Sequence, residues 1–183
     1  MAKVHGLVAI QTDLKSFLDS ISSANDLYID LEGQNSSRNG SISLVIILIL
    51  PDNIIYAIDV QDLGAEAFDT VGHSGKSLKS ILRDGRIDKY FWDVRNDADP
   101  LWAHYKVDMN GVTDIQLPEN ASRRGPKKYL SGLGKIIERD LTFGFTEKQR
   151  FSRTKEEVKK LMETNVFANR PWTSRPWNTA QTT

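Results

Sequence analysis

The sequence predicts an α/β domain whose mixed sheet carries helices on both faces. Two observations lead there. Three apolar, strand-like runs follow one another between Leu27 and Val60, and from Leu63 onward helical and strand patterns alternate. Strands joined by short turns pair antiparallel and strands separated by helices pair parallel, so one sheet holds both.

The elements follow in order. Thr12 caps a helix in which Leu14, Phe17, Leu18 and Ile21 recur at helical spacing. Leu27–Glu32 is the first strand and Asn35–Gly40 a polar turn region. Ile42–Leu50 and Ile54–Val60 form a hairpin around Pro51-Asp52-Asn53, a breaker followed by turn formers. Leu63–Phe68 reads as a short helix, and Ser77 precedes another carrying Leu78, Ile81 and Leu82. Lys89–Val94 is the fourth strand; a helix over Asp97–Tyr105 puts Leu101 and Tyr105 on one face, and Val107–Ile115 holds a short fifth strand. Leu130, Leu133, Ile136 and Ile137 mark a further helix, and Thr154-Lys155-Glu156-Glu157 is a capping box opening one more. With no repeat and no linker, residues 1–183 read as one domain with an irregular tail over 169–183.

Composition narrows the function. Twenty-four basic and 24 acidic residues balance, so no global field attracts a polyanion and local clusters must do so. The absence of cysteine excludes disulfides, thiolate zinc sites and a cysteine nucleophile. The opening Met-Ala-Lys-Val-His-Gly lacks the apolar core of a secretory signal, and Ile42–Leu50 is too short to cross a bilayer. The expectation is a soluble intracellular protein, cytoplasmic or nuclear, with no membrane contact.

Two acidic clusters carry the chemistry: Asp30-Leu31-Glu32, ending the first strand, and Asp93-Val94-Arg95-Asn96-Asp97, following Tyr90-Phe91-Trp92. Asp30 and Glu32 project to the same side of a strand, one pleat apart, and repel each other unless a cation intervenes. Oxygen ligands on a rigid element suit a hard divalent metal, and Asp97 is the candidate third ligand. A lone Asp-x-Glu at a strand end is most often simply solvated or ion-paired. Asp93 reads as a residue capping the turn into the next helix and Asp114 as a loop brace. His73 and His104 lack metal spacing and read as surface or core-edge residues.

The ordered set of segments raises the specificity. Tyr28-Ile-Asp-Leu-Glu-Gly33 resembles the first motif of the 3′–5′ exonuclease domain of the DEDD superfamily, and Phe91-Trp-Asp-Val-Arg-Asn-Asp97, with Leu101, resembles the second. Gly40–Leu44, Ile58–Val60 with Leu63-Gly64, Ser77–Leu82, Thr113–Leu117 and Tyr129–Leu133 match in order, closest to fungal members of the ribonuclease D-like branch. The resemblance runs from about Asp26 to the end of the chain. It implies a ribonuclease H-like fold and hydrolysis of the terminal phosphodiester of single-stranded RNA or DNA with two Mg²⁺ or Mn²⁺ ions. It further implies that Asp30 bridges both ions, Glu32 helps hold the one that activates water, and Asp97 binds the second.

The third motif departs from that pattern. Arg170-Pro171-Trp172 occupies its lead-in, and family spacing then puts Thr179 where a Tyr belongs and Thr183 where the fourth acid belongs. The resemblance therefore implies a shortened or altered member with three of four ligands. Two readings stay open: a metal-dependent exonuclease, or a catalytically degenerate exonuclease fold that binds nucleic acid or protein. Arg123-Arg124-Gly125-Pro126-Lys127-Lys128 is the candidate phosphate grip, with Arg123, Arg124, Lys127 and Lys128 as its contacts; most charged loops are merely solvated. Trp172 and Trp177 are placed to stack on bases or to pack the tail onto the domain.

Overall fold

A strand turns successive side chains to opposite faces, and the burial of this chain follows that rule. The computed structural model describes residues 3–140 and scattered positions from 144 to 156. Its elements in chain order are β1 (Lys3–Val8), α1 (Gln11–Ser20), β2 (Asp26–Glu32), β3 (Leu44–Leu50), β4 (Ile54–Asp59), α2 (Val60–Leu63), α3 (Glu66–Asp69) and α4 (Leu78–Arg83). After these come β5 (Asp88–Phe91), α5 (Arg95–Tyr105), β6 (Val112–Asp114), α6 (Gln116–Ser122) and α7 (Leu133–Asp140). The chain divides after Ile115 into two compact units.

The first unit contains a six-stranded mixed sheet in the order β1-β4-β3-β2-β5-β6. β2, β3 and β4 pair antiparallel as one meander, while β1 joins β4, β5 joins β2, and β6 joins β5, all in parallel. Leu27, Ile29 and Leu31 of β2 lie opposite Ile49, Ile47 and Val45 of β3, and all six are buried. They share one apolar core with Leu14, Phe17 and Leu18 of α1 and Leu78, Ile81 and Leu82 of α4. Tyr28, Asp30 and Glu32 therefore take the other face of β2, opposite Leu48, Ile46 and Leu44.

The expected mixed α/β fold is present, with differences at its margins. β1 and α6 have no counterpart among the expected elements, because Lys3–Val8 is broken by Gly6 and Gln116–Ser122 contains Pro118. Thr12 lies inside α1, whose N-cap is Ile10 with no side-chain bond. The short helix expected over Leu63–Phe68 is two, α2 and α3, separated at Gly64, whose φ of 58° no helix can absorb. Ser77 does cap α4, in a reciprocal capping box with Ser80. The capping box expected at Thr154 lies largely outside the described residues, and the tail from Asn169, with Trp172, Trp177, Thr179 and Thr183, wholly so.

One buried cation belongs to the fold alone. Lys89 is fully buried on the core face of β5, and its ammonium donates to the carbonyls of Asp84 (2.6 Å), Ile87 (2.8 Å) and Asn110 (2.8 Å). Burial pulls its pKa below the ordinary lysine value, and the Asp84 and Asp88 charges partly offset that. Lys89→Met keeps the volume and strands three carbonyls. Urea denaturation should show a loss of about 2–4 kcal/mol; a variant within about 0.5 kcal/mol of the wild type contradicts this account of the cage.

Candidate functional site

Asp30 and Glu32 leave the same face of β2, among hydrocarbon neighbours. Asp30 is exposed toward solvent but sits opposite Ile46, and Glu32 is half-buried opposite Leu44. One pleat back, the Tyr28 ring stacks on Tyr90 of β5 at 4.8 Å and 20°. Asp97 comes from the first turn of α5 and is 6% exposed. The backbone N–H of Leu31 favours the charged form of both Asp30 and Asp97, so it lies between the strand acid and the helix acid.

The three acids are electrostatically one group. Burial raises Asp30; burial and then the Asp30 charge push Glu32 up to about 7. Asp97 is likewise pushed up to about 7, by burial first, then by Asp30, Asp93 and Glu32. Among the described residues none of the three makes an ion pair. Hard carboxylate oxygens, part desolvated and without counter-charge, fit a divalent cation in chemistry. Nevertheless, among the described residues no three acidic or histidine side chains are gathered closely enough, as they stand, to hold one ion. The trio is a set of coupled neighbours.

Flanking acids are occupied elsewhere. Asp93 adopts φ of 63° and accepts from Arg95 Nε (2.9 Å) and Asn96 Nδ2 (2.9 Å). It therefore orders the turn through side chains and leaves the backbone of α5 uncapped by any side chain. Asp114 braces that turn, its Oδ1 accepting the Asp93 N–H at 3.0 Å. Asp59, fully buried, caps α2 by accepting from the N–H groups of Gln61 and Asp62.

A second set of contacts joins the loop after Glu32 to α5. Gly33 and Gly40 pinch this loop so tightly that a Cβ on either would lie 1.9 or 2.0 Å from a carbonyl oxygen. Arg38 donates to Asp99 from its backbone N–H (2.9 Å), Nε (3.0 Å) and Nη2 (2.6 Å). His104 Nε2 lies 3.1 Å from the Ser37 carbonyl, which only accepts, so that nitrogen carries the proton. These pairings span 61 and 67 residues, and no local pattern announces them.

In the second unit the basic candidates divide. The Arg123 side chain is 8% exposed, forks onto the Glu119 carboxylate, and donates to the carbonyls of Pro126 (3.0 Å) and Tyr129 (3.1 Å). Arg139 completes the cluster on Glu119 at 2.9 Å, and hydrogen bonds from Arg123 and then Arg139 hold Glu119 down at about 2. Lys127 donates to the Ala121 carbonyl. Arg124 and Lys128 are exposed, and Lys128 Nζ lies 5.2 Å from the centroid of Tyr129, itself 71% exposed. Arg123 is thus tied into the loop, Lys127 is exposed but bonded to it, and Arg124 and Lys128 face solvent.

The fold is that of ribonuclease D-like 3′–5′ exonuclease structures. Trypanosoma brucei RNase D in its GMP complex aligns with 96% of this chain at 23% identity and a TM-score of 0.72. The same enzyme in complex with RNA U12 aligns with 97% of it at 24% identity and 0.70, and Brucella melitensis NrnC with bound Mg²⁺ with 85% at 16% and 0.54. The chain covers 51%, 56% and 62% of those structures, so it spans little more than half their length. No protein-family profile and no curated protein matches the chain. Among the described residues no helix is long and apolar enough to cross a membrane.

The raised carboxyls set a pH dependence. A carboxyl whose pKa rises on folding binds its proton more tightly when folded, so stability falls as pH climbs from the unfolded value, about 4, through the folded value. For Glu32 and Asp97 that window closes near 7. Asp97→Asn removes one charge at nearly constant shape. Thermal melting should find it ~1–2 kcal/mol, or ~3–6 °C, more stable than the wild type at pH 8 and indistinguishable at about pH 3, below the unfolded value. A variant destabilised equally at both pH values would mean that Asp97 serves packing instead.

Proposed function

We propose that the domain is a metal-dependent 3′–5′ exonuclease acting on single-stranded nucleic acid, with Asp30, Glu32 and Asp97 as its metal-holding acids. The observation that carries this is the mutual charge coupling of three carboxylates contributed by β2 and α5, on a fold shared with ribonuclease D structures. The finer placement, in a fungal-type branch with an altered third motif, rests on the ordered sequence motifs alone.

Asp30, Glu32 and Asp97 would hold the divalent ion or ions, Mg²⁺ or Mn²⁺. The metal would supply what such ions supply to phosphodiester hydrolysis: an acidified water and charge stabilisation of the oxygens around phosphorus. The chain's own part is placement. β2 orients two acids through strand alternation, α5 brings the third, and the Leu31 N–H favours ionised Asp30 and Asp97. Near pH 7 Glu32 and Asp97 are part protonated, and those protons must leave before all three can bind a cation. Arg124 and Lys128 are the phosphate contacts we assign to the second unit, with Tyr129 as a stacking surface beside them. Arg123 and Lys127 keep their loop in shape.

The test is hydrolysis of 5′-labelled single-stranded RNA and DNA with Mg²⁺ or Mn²⁺. The proposal expects stepwise shortening from the 3′ end, abolished by chelator and reduced at least ~10²-fold in Asp30→Asn. Binding without shortening would favour the degenerate-module reading, and neither binding nor shortening contradicts both. Arg124→Ala with Lys128→Ala should lower the salt slope of RNA binding by about 0.7 for each phosphate that the two side chains neutralise, and an unchanged slope removes them from the interface.

A further inference from the structure

The hydrogen-bonded pairing of β2 with β5 runs from Asp26 to Tyr28 and ends there. The acids lie beyond that point, so no sheet bond fixes the end of β2 against the helix that follows β5. Apart from the Leu31 N–H, which favours ionised Asp97, what joins them is the contact between the loop leaving Glu32 and α5. Arg38 grips Asp99 with three donors, and His104 holds the Ser37 carbonyl. Asp99 lies two residues past Asp97 on the same helix, and the loop returns onto β2, where Ser43 N–H donates to the Glu32 carbonyl at 2.8 Å.

We propose that the Arg38–Asp99 and His104–Ser37 contacts form a latch whose function is to set the position of Asp97 against Asp30 and Glu32. These four are positioning residues, and the proposal rests on the exonuclease reading above. A single exposed ion pair is usually too weak for such a task, and the Arg38 side chain is 70% exposed. Here the guanidinium is forked, the backbone N–H of the same residue adds a bond, and a second contact lies near the far end of the helix. Such multipoint, charge-assisted grips hold geometry where lone pairs do not. Metal ligands need that precision, since misplacement of about half an ångström already costs function. Glycines at 33 and 40 make the loop narrow enough to reach the helix, so its composition serves the same contact.

The experiment compares wild type with Arg38→Ala, Asp99→Ala, the double alanine variant, and the exchanged pair Arg38→Asp with Asp99→Arg. Amide hydrogen exchange is followed across residues 33–43 and 95–99, and Mn²⁺ affinity by calorimetry. Either single alanine should speed exchange in both segments about tenfold and weaken Mn²⁺ binding about tenfold. The double should be no worse than the singles, and the exchanged pair, which restores the ion pair but not the bond from the residue-38 backbone N–H, should recover only part of the loss. Unchanged Mn²⁺ affinity with a released loop overturns the proposal, as does unchanged exchange in both singles. If wild-type Mn²⁺ binding is absent or indifferent to Asp97→Asn, the exonuclease reading fails instead. The exchange data then decide the latch alone: protection lost in both segments upholds it, and loss confined to the loop overturns it.

Discussion

Three carboxylates brought together against hydrocarbon cannot all ionise without cost, and the first unit is arranged around that conflict. Each element solves part of it. Strand alternation in β2 puts Asp30 and Glu32 on one face while Leu27, Ile29 and Leu31 anchor the other in the core. α5 brings Asp97 up from the far side of β5. Burial first, and then the Asp30 charge, push Glu32 and Asp97 up to about 7. On the proposed reading, a divalent cation would reverse the balance by supplying the missing positive charge. The same repulsion that makes the site unfavourable without a cation would then be what gives it affinity for one.

The rest of the polar architecture keeps other charges out of that conflict. Lys89 is fully buried, yet its ammonium goes to three carbonyls on the core face, away from the acids. Asp99 and Asp114 each have a structural partner of their own; Asp93 is the exception, paired with Arg95 and still adding to the rise of Asp97. In the second unit, Glu119 is held down by Arg123 and Arg139, which removes two cations from any role as a free phosphate grip. Composition counts such residues as charges, and the fold uses them for loop geometry.

How legible this was in the sequence depended on whether the information was local. The alternation in Leu27–Glu32, the apolar run over Ile42–Leu50, of which Leu44–Leu50 is strand, the hairpin at Pro51–Asn53 and the Ser77 cap are written in neighbouring residues, and the structure has them. β1 was not legible, because a six-residue strand interrupted by Gly6 carries no alternation to read. The Arg38–Asp99 contact was not legible either: the partners are 61 residues apart, and Arg38 looks like any charged loop residue. For the site, placing Asp30, Glu32 and Asp97 together depended on the ordered motifs. That Arg123 is buried on Glu119 and Lys127 bonded to its own loop, while Arg124 and Lys128 face solvent, required coordinates, since adjacent cations in one loop are equivalent in sequence.

The central claim, that Asp30, Glu32 and Asp97 behave as one charge-coupled group, is tested most directly by following their side-chain carboxyl carbons by NMR as pH is varied in the metal-free protein. The account predicts that Glu32 and Asp97 titrate near 7, in overlapping steps, and that Asp30→Asn moves both toward the ordinary carboxylate range. If the three titrate independently at about 4, as exposed carboxylates do, the acids do not form a common site and the metal-holding reading of this fold is wrong.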